Sequence, residues 1–145
     1  MTDLVGALKV ALADTFAFYL KAHNFHWNIT GPDFAQYHSF LGGLWEEVFD
    51  AVDLIAEGIR TLDSFAPGSF VRYKELSTIE DELNVPEAMQ MFSKLEADNQ
   101  KVIASLQKAY EIAEADKKHG ISNFLQDRIT AHEKHGWMLR SFKKA

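Results

Sequence analysis

Apolar residues recur along the first thirty positions at steps of three and four. Val5, Leu8, Leu12, Thr15, Tyr19, Ala22 and His26 share one face of a helix predicted over about Leu4 to Ile29. His26 is in phase with Leu12 and Tyr19, so it is expected to point inward. Thr30-Gly31-Pro32-Asp33 breaks the pattern, and Asp33 stands where it can cap a new helix. That second helix is expected over about Phe34 to Leu62, on an unbroken stripe of Leu41, Trp45, Val48, Val52, Ile55, Ile59 and Leu62. The short turn makes these two helices antiparallel neighbours.

From Asp63 to Val85 the periodicity fails. Ala66-Pro67-Gly68-Ser69 reads as a loop, and Tyr73 to Leu83 holds a short helix with Ser77 and Glu80 as its capping box. A connection this long is expected to cross the bundle. A third helix begins near Pro86, carries Ala88, Phe92, Leu95, Val102, Leu106, Tyr110 and Ala113, and stops at Lys117-Lys118-His119-Gly120. A fourth, about Ser122 to Phe142, starts on a Ser cap and carries Leu125, Ile129, Trp137 and Leu139. Two helical hairpins joined by one long crossover predict an all-α, ferritin-like four-helix bundle, with a short extra helix between helices 2 and 3. The expectation is one domain over residues 1–145.

Composition narrows the classes. Eight glycines and three prolines in 145 residues fit long uninterrupted helices, and the absence of cysteine excludes disulfides and thiolate metal sites. A formal charge of −6 argues against a nonspecific nucleic-acid binder. Met1-Thr2-Asp3-Leu4 lacks the basic start of a signal peptide, and no apolar run reaches the roughly 20 residues of a membrane span. A cytoplasmic location is expected.

The chemistry concentrates in the first hairpin. His26 lies five residues before Gly31 and His38 six after Pro32, so antiparallel helices bring both to one end. Asp53 and Glu57, four apart, share one helix face. Asp53 lies 15 residues beyond His38, roughly 22 Å along the axis at 1.5 Å per residue. One chain cannot bring all four to one ion. A second copy, packed antiparallel about a two-fold axis, brings the histidine end of one chain against the acid end of the other, and makes two such sites. Two imidazoles and two carboxylates with open positions suit ferrous iron, although the geometry alone predicts a metal site at a dimer interface without naming the metal. Taken singly these residues are ordinary. A lone His in phase with an apolar face is commonly a satisfied core or interface residue, Asp53 and Glu57 read as a solvated face, and Trp27 and Trp45 as core or interface anchors. Their joint placement is what points to function.

Lys21-Ala22-His23-Asn24-Phe25-His26-Trp27-Asn28, then Gly31-Pro32, Phe34 and His38, then Asp53-x-Ile55-Ala56-Glu57, resemble the signature of the Dps mini-ferritins. Glu133-Lys134-His135-Gly136-Trp137-Met138-Leu139-Arg140 is similar to that family's closing helix. The resemblance covers nearly the whole chain. It implies a hollow twelve-subunit shell that oxidises ferrous iron with hydrogen peroxide or oxygen at sites shared across two-fold interfaces, stores ferric mineral inside and protects DNA from oxidative damage. It also implies iron (Fe2+/Fe3+) ligation by His26 and His38 of one subunit with Asp53 and Glu57 of its partner, and a radical-quenching Trp27 beside the site. Acidic residues at a three-fold pore would be Glu114, Asp116 and Asp127, with Asn123 where an Asp is often found.

Two positions depart from the family's pattern. Gly42, followed by Gly43, stands where a carboxylate is usual one turn after the second His, and Gly58 where Arg is common. Glu46, one turn further on, is the candidate replacement ligand, directly or through water. Several members bind DNA through a basic terminus. Met1 to Gly6 has no basic residue and the other end offers only Lys143-Lys144, which speaks against direct DNA binding. The alternative remains a DNA-binding or nucleoid-shielding shell with a weakened or non-iron site. A bacterioferritin- or rubrerythrin-like site inside one bundle needs Glu-x-x-His pairs, and the sequence has none. His119, His132 and His135 show no ligand spacing with a carboxylate and are expected as surface, capping or pore residues.

Overall fold

A computed structural model describes residues 2–144, so the end positions Met1 and Ala145 of the expected domain lie outside the described residues. Five helices occur in it, and no strand among the described residues: α1 (Thr2–Asn28), α2 (Phe34–Thr61), α3 (Phe70–Leu76), α4 (Ala88–Ala115) and α5 (His119–Lys143). The four long helices form the expected bundle, with α1 packed on α2 and α4, and α5 on α4. No helix among the described residues is long and apolar enough to cross a membrane.

The predicted stripes meet in one core. Leu8, Leu12, Phe18, Phe25 and Ile29 of the first hairpin arm face Leu41, Val48, Ile55 and Ile59 of α2, and Phe92, Leu95, Val102, Leu106, Leu125 and Leu139 close the other side. Each such side chain is worth about 1.5–3 kcal/mol on burial. At the end nearest the hairpin turn, Phe92 and Phe142 stack with centroids 4.8 Å apart, Phe40 lies 4.7 Å from Phe142, and Tyr37 5.1 Å from Phe92. This aromatic cluster ties the start of α2 to α4 and α5, and the start of α2 carries His38. Trp137 departs from expectation: it is 56% exposed, and Leu125, Arg128, His132, His135 and Leu139 make the buried stripe of α5 instead.

The crossover corrects the capping reading. The short helix is Phe70–Leu76, and the Ser69 hydroxyl caps it by accepting from the Arg72 amide at 3.3 Å. Ser77 ends that helix rather than starting one. Its hydroxyl donates to the carboxylate of Asp14 at 2.8 Å, while the Thr78 amide and hydroxyl donate to the same carboxylate at 2.7 and 2.9 Å. Asp14 is fully buried on α1, so a long-range acceptor takes the hydroxyl that the local pattern assigned to a cap. The Lys21 ammonium and Asp98, 2.7 Å apart and almost fully buried, add a second polar tie from α1 to α4.

Other termini also shift. Helix α4 starts two residues after Pro86, with the Glu87 amide donating to Gln90 Oε1 at 3.4 Å. Lys117 adopts a left-handed conformation (φ 57°) and turns the chain itself, so α5 begins at His119 and both Gly120 and Ser122 fall inside its first turns. Asp33 does not cap α2. Its carboxylate accepts from the Tyr37 hydroxyl at 3.4 Å.

Asp14→Ala is expected to leave the Ser77 and Thr78 donors unpaired and to destabilise the fold by about 1–3 kcal/mol per buried group. A denaturant midpoint together with amide exchange at Thr78 checks this, and unchanged protection there would remove the pin.

Candidate metal centre

Helix α1 delivers His26 in its last turn, Gly31 reverses the chain with φ +126°, a conformation that favours glycine, and His38 follows in the early turns of α2. The two histidines are locked to one another. His26 Nδ1 donates to the His38 carbonyl at 2.7 Å and His38 Nδ1 donates to the His26 carbonyl at 2.8 Å. The rings stack with centroids 3.8 Å apart and planes within 15°, and Phe34 backs His38 at 5.0 Å. A carbonyl only accepts, so each Nδ1 carries the proton. In the neutral ring Nε2 then carries the lone pair, the form in which imidazole binds a metal.

Gly42 has a steric reason. A Cβ built there would sit 3.0 Å from Cε1 and 3.4 Å from Nδ1 of His26. The His26 ring fills the space that a side chain at 42 needs. Gly43 meets nothing within 4 Å, whereas a Cβ at Gly58 would lie 2.9 Å from the Phe124 ring. At both departures from the family pattern a side chain would crowd a neighbouring ring.

Asp53, Glu57 and Glu46 are exposed on α2, and Trp27 is 59% exposed at the end of α1. The chain does not bring the acids to the histidines: among the described residues no group of three or more His, Asp or Glu side chains is placed to hold a metal. Glu46 lies near enough to His23 for its charge to favour the protonated ring. The pore candidates Glu114, Asp116, Asn123 and Asp127 are all exposed around the α4–α5 turn, as is His119.

Two clusters near this region escaped the sequence reading. His23 is sandwiched between indoles, 3.8 Å from Trp45 with planes within 10° and 4.0 Å from Trp27, and its Nδ1 is 3.1 Å from the Tyr19 hydroxyl. Burial, followed by the charge of His26, holds its pKa below the usual imidazole value, against the pull of Glu46. The second cluster joins α2, α4 and α5. Glu47 accepts from both Arg128 guanidinium nitrogens, and at 2.7 Å from His135 Nε2. His132, fully buried, pairs through Nδ1 with Asn99 Oδ1 at 2.8 Å and accepts at Nε2 from Arg128 at 3.0 Å. Thus His132 and His135 are core groups, not surface, cap or pore residues. Their phase with Leu125 and Leu139 was the available signal. Burial would raise the Glu47 pKa, but the bonds from His135 and Arg128 outweigh it and hold the carboxylate far below its usual range. Burial, then the Arg128 and His135 charges, push His132 well below the imidazole value.

Two outcomes are expected. Gly42→Ala must displace the His26 ring and weaken its bond to the His38 carbonyl. Proton NMR of the Nδ1–H resonances reads this directly, and unshifted resonances in the variant would dissociate Gly42 from the site. For His132 the folded pKa lies below the unfolded one, so stability is complete above about pH 6.5 and falls below it, by about 1.4 kcal/mol per pH unit from this residue. Denaturant midpoints across pH should show a shallower acid slope for His132→Gln than for the parent chain.

Comparison with known proteins gives a consistent result. A family model for the ferritin-like domain matches residues 5–144. The chain is 31% identical over 140 residues to DNA protection during starvation protein 2 of Bacillus anthracis, covering 97% of this chain and 96% of that one. It is 30% identical over 141 residues to an uncharacterized low temperature-induced protein of Nostoc, covering 96% of this chain and 79% of that one. Among solved structures, Dps from Staphylococcus aureus superposes with a TM-score of 0.95 at 28% identity, over 100% of this chain and 97% of that one. A Dps protein from Vibrio cholerae, described as one of a broad superfamily of ferritin-like diiron-carboxylate proteins, gives 0.94 at 26%, over 99% and 90%.

Proposed function

Because this chain belongs to the ferritin-like family, as a Dps-like mini-ferritin, we propose that it is a ferroxidase and iron-storage protein. Its sites are shared between two-fold-related subunits, and its product mineral is kept in a hollow, dodecameric shell. The observation that carries this reading is the reciprocal bonding of His26 and His38, which stacks the two rings and commits each Nδ1, leaving Nε2 of each neutral ring as the ligating nitrogen. Beyond them, about half the length of α2 away, two carboxylates stand exposed on the same chain. The half-sites fit ferrous iron as substrate: neutral imidazole tolerates Fe2+, and carboxylate oxygens tolerate the ferric product.

In this reading His26 and His38 of one subunit face Asp53 and Glu57 of the partner subunit. The histidines set orientation, since their Nδ1 protons are already committed to backbone carbonyls and no reorganisation is needed on binding. Two ferrous ions supply the two electrons that split the O–O bond of hydrogen peroxide to two hydroxides. The same step consumes the reagents of hydroxyl-radical formation, so DNA protection follows from the chemistry. Gly42 leaves the second iron without the usual carboxylate, and Glu46, one turn on, serves it directly or through water. Trp27 stands beside the site as a sink for stray radicals.

The test is complementation between subunits. A His26→Ala,His38→Ala chain and an Asp53→Ala,Glu57→Ala chain should each oxidise iron slowly while still assembling. Randomly mixed, half of the dimers are hybrids with one intact site of two, so about a quarter of the parental sites return. Stopped-flow iron oxidation on hybrids verified by mass would show this recovery, and its absence would sink the shared site.

A further inference from the structure

The two histidines of the half-site are held unequally. The His26 ring has His38 stacked on it at 3.8 Å, fills the space of a side chain at Gly42, and has the rings of His23 and Trp45 at 6.0 and 6.4 Å. At His38, two aromatic rings approach among the described residues, those of His26 and Phe34, the latter at 5.0 Å with planes within 22°. Phe34, His38 and Gly42 stand four apart on one face of α2. His26 lies on the Gly42 side of His38, and Phe34 lies one turn before it, so the His38 ring is held between two flat partners. We propose that Phe34 is a positioning residue: it fixes the plane of the His38 ring, and so the direction of Nε2. The ion it serves, ferrous iron, rests on the ferroxidase reading above.

The physical argument turns on what one hydrogen bond can fix. The bond from Nδ1 to the His26 carbonyl, 2.8 Å long, holds one atom of the His38 ring. It leaves the ring free to roll, and a roll swings Nε2, which lies across the ring from Nδ1. A flat surface on each face removes that freedom. A metal ligand must be held within about 10–20° of its productive direction, so the roll decides whether Nε2 binds well. The sequence places Phe34 for this task. Helical side chains lean toward the N-terminus, and His38 therefore lies over the turn that carries Phe34. Phe34 is the first residue of α2, and its amide donates to the Gly31 carbonyl at 3.1 Å, which ties it to the reversal that brings His26 alongside. Its ring is 44% exposed and stands apart from the buried cluster of Phe92 and Phe142 that anchors the start of α2. A change at Phe34 therefore opens one face of His38 and leaves that anchor in place.

The test compares Phe34→Leu, which keeps apolar cover but loses the flat face, with Phe34→Tyr, which keeps both. Cobalt(II) without oxidant reads ligation alone, through the part of its visible absorption that His38→Ala removes. Phe34→Leu should bind cobalt several-fold more weakly at an unchanged denaturant midpoint, and Phe34→Tyr should match the parent. Phe65→Leu, which removes an exposed ring from the far end of α2, should also match it. In iron oxidation, Phe34→Leu should raise KM for ferrous iron several-fold and leave kcat little changed, the pattern of lost binding. Equal cobalt affinity in Phe34→Leu and parent overturns the proposal. So does a Phe34→Tyr chain as weak as Phe34→Leu, a loss of affinity matched by a fall in the midpoint, or a lower kcat at unchanged KM. A parent chain that leaves ferrous iron unoxidised while the cobalt series behaves as expected overturns the ferroxidase reading instead, with Phe34 still positioning His38 in a metal site.

Discussion

The pair of hydrogen bonds that cross the first hairpin, from each of His26 and His38 to the other's backbone carbonyl, constrains everything around it. These bonds need the two helices at a fixed register and distance. Gly31 provides the reversal, the aromatic cluster of Tyr37, Phe40, Phe92 and Phe142 holds the start of α2 in place, and Gly42 leaves room for the His26 ring. The same bonds decide tautomer and orientation together, so the Nε2 atoms proposed as ligands are oriented by the fold itself.

The rest of α2 is held in a different way. It meets α5 at few places, and the polar ones converge on Glu47, which receives Arg128 and His135. Arg128 in turn donates to His132, and His132 is tied to Asn99 on α4. Arg128, His132 and Asn99 are buried while Glu47 keeps one side toward solvent, so removing Glu47 would leave the buried Arg128 guanidinium without its carboxylate. Helix α2 packs chiefly on α1, and this pin adds a polar tie to α5 less than two turns before Asp53.

Much of this was readable from periodicity. Four long helices, the antiparallel first hairpin, the crossover and the separation of the histidine end from the acid end all followed from steps of three and four and from the rise per residue. What was not readable depended on partners distant in sequence. Ser77 carried a local capping pattern, but Asp14, 63 residues earlier, takes its hydroxyl. Lys117 makes the turn that Gly120 was expected to make, because the left-handed region is open to lysine at about 1–2 kcal/mol. Arg128, His132 and His135 lie in phase with Leu125 and Leu139, yet polarity hid them from an apolar count. The reasons for Gly42 and Gly58 lie in rings of His26 and Phe124, which only coordinates reveal.

A site split between chains, as proposed, would also have a thermodynamic consequence. Two imidazoles alone form a weak half-site, as do two carboxylates on an exposed helix face. In the proposed site iron would bind tightly only where subunits have paired, and by linkage any ion that prefers the paired state stabilises it, by RT ln(1 + [L]/Kd) for each site. A free subunit would then have little capacity to collect ferrous iron, while a paired one would present both half-sites together. A self-contained site, such as a bundle with internal Glu-x-x-His pairs would have, lacks this coupling. The absence of those pairs here and the exposed Asp53 and Glu57 fit the proposed site, in which the acids of one copy would serve the histidines of another.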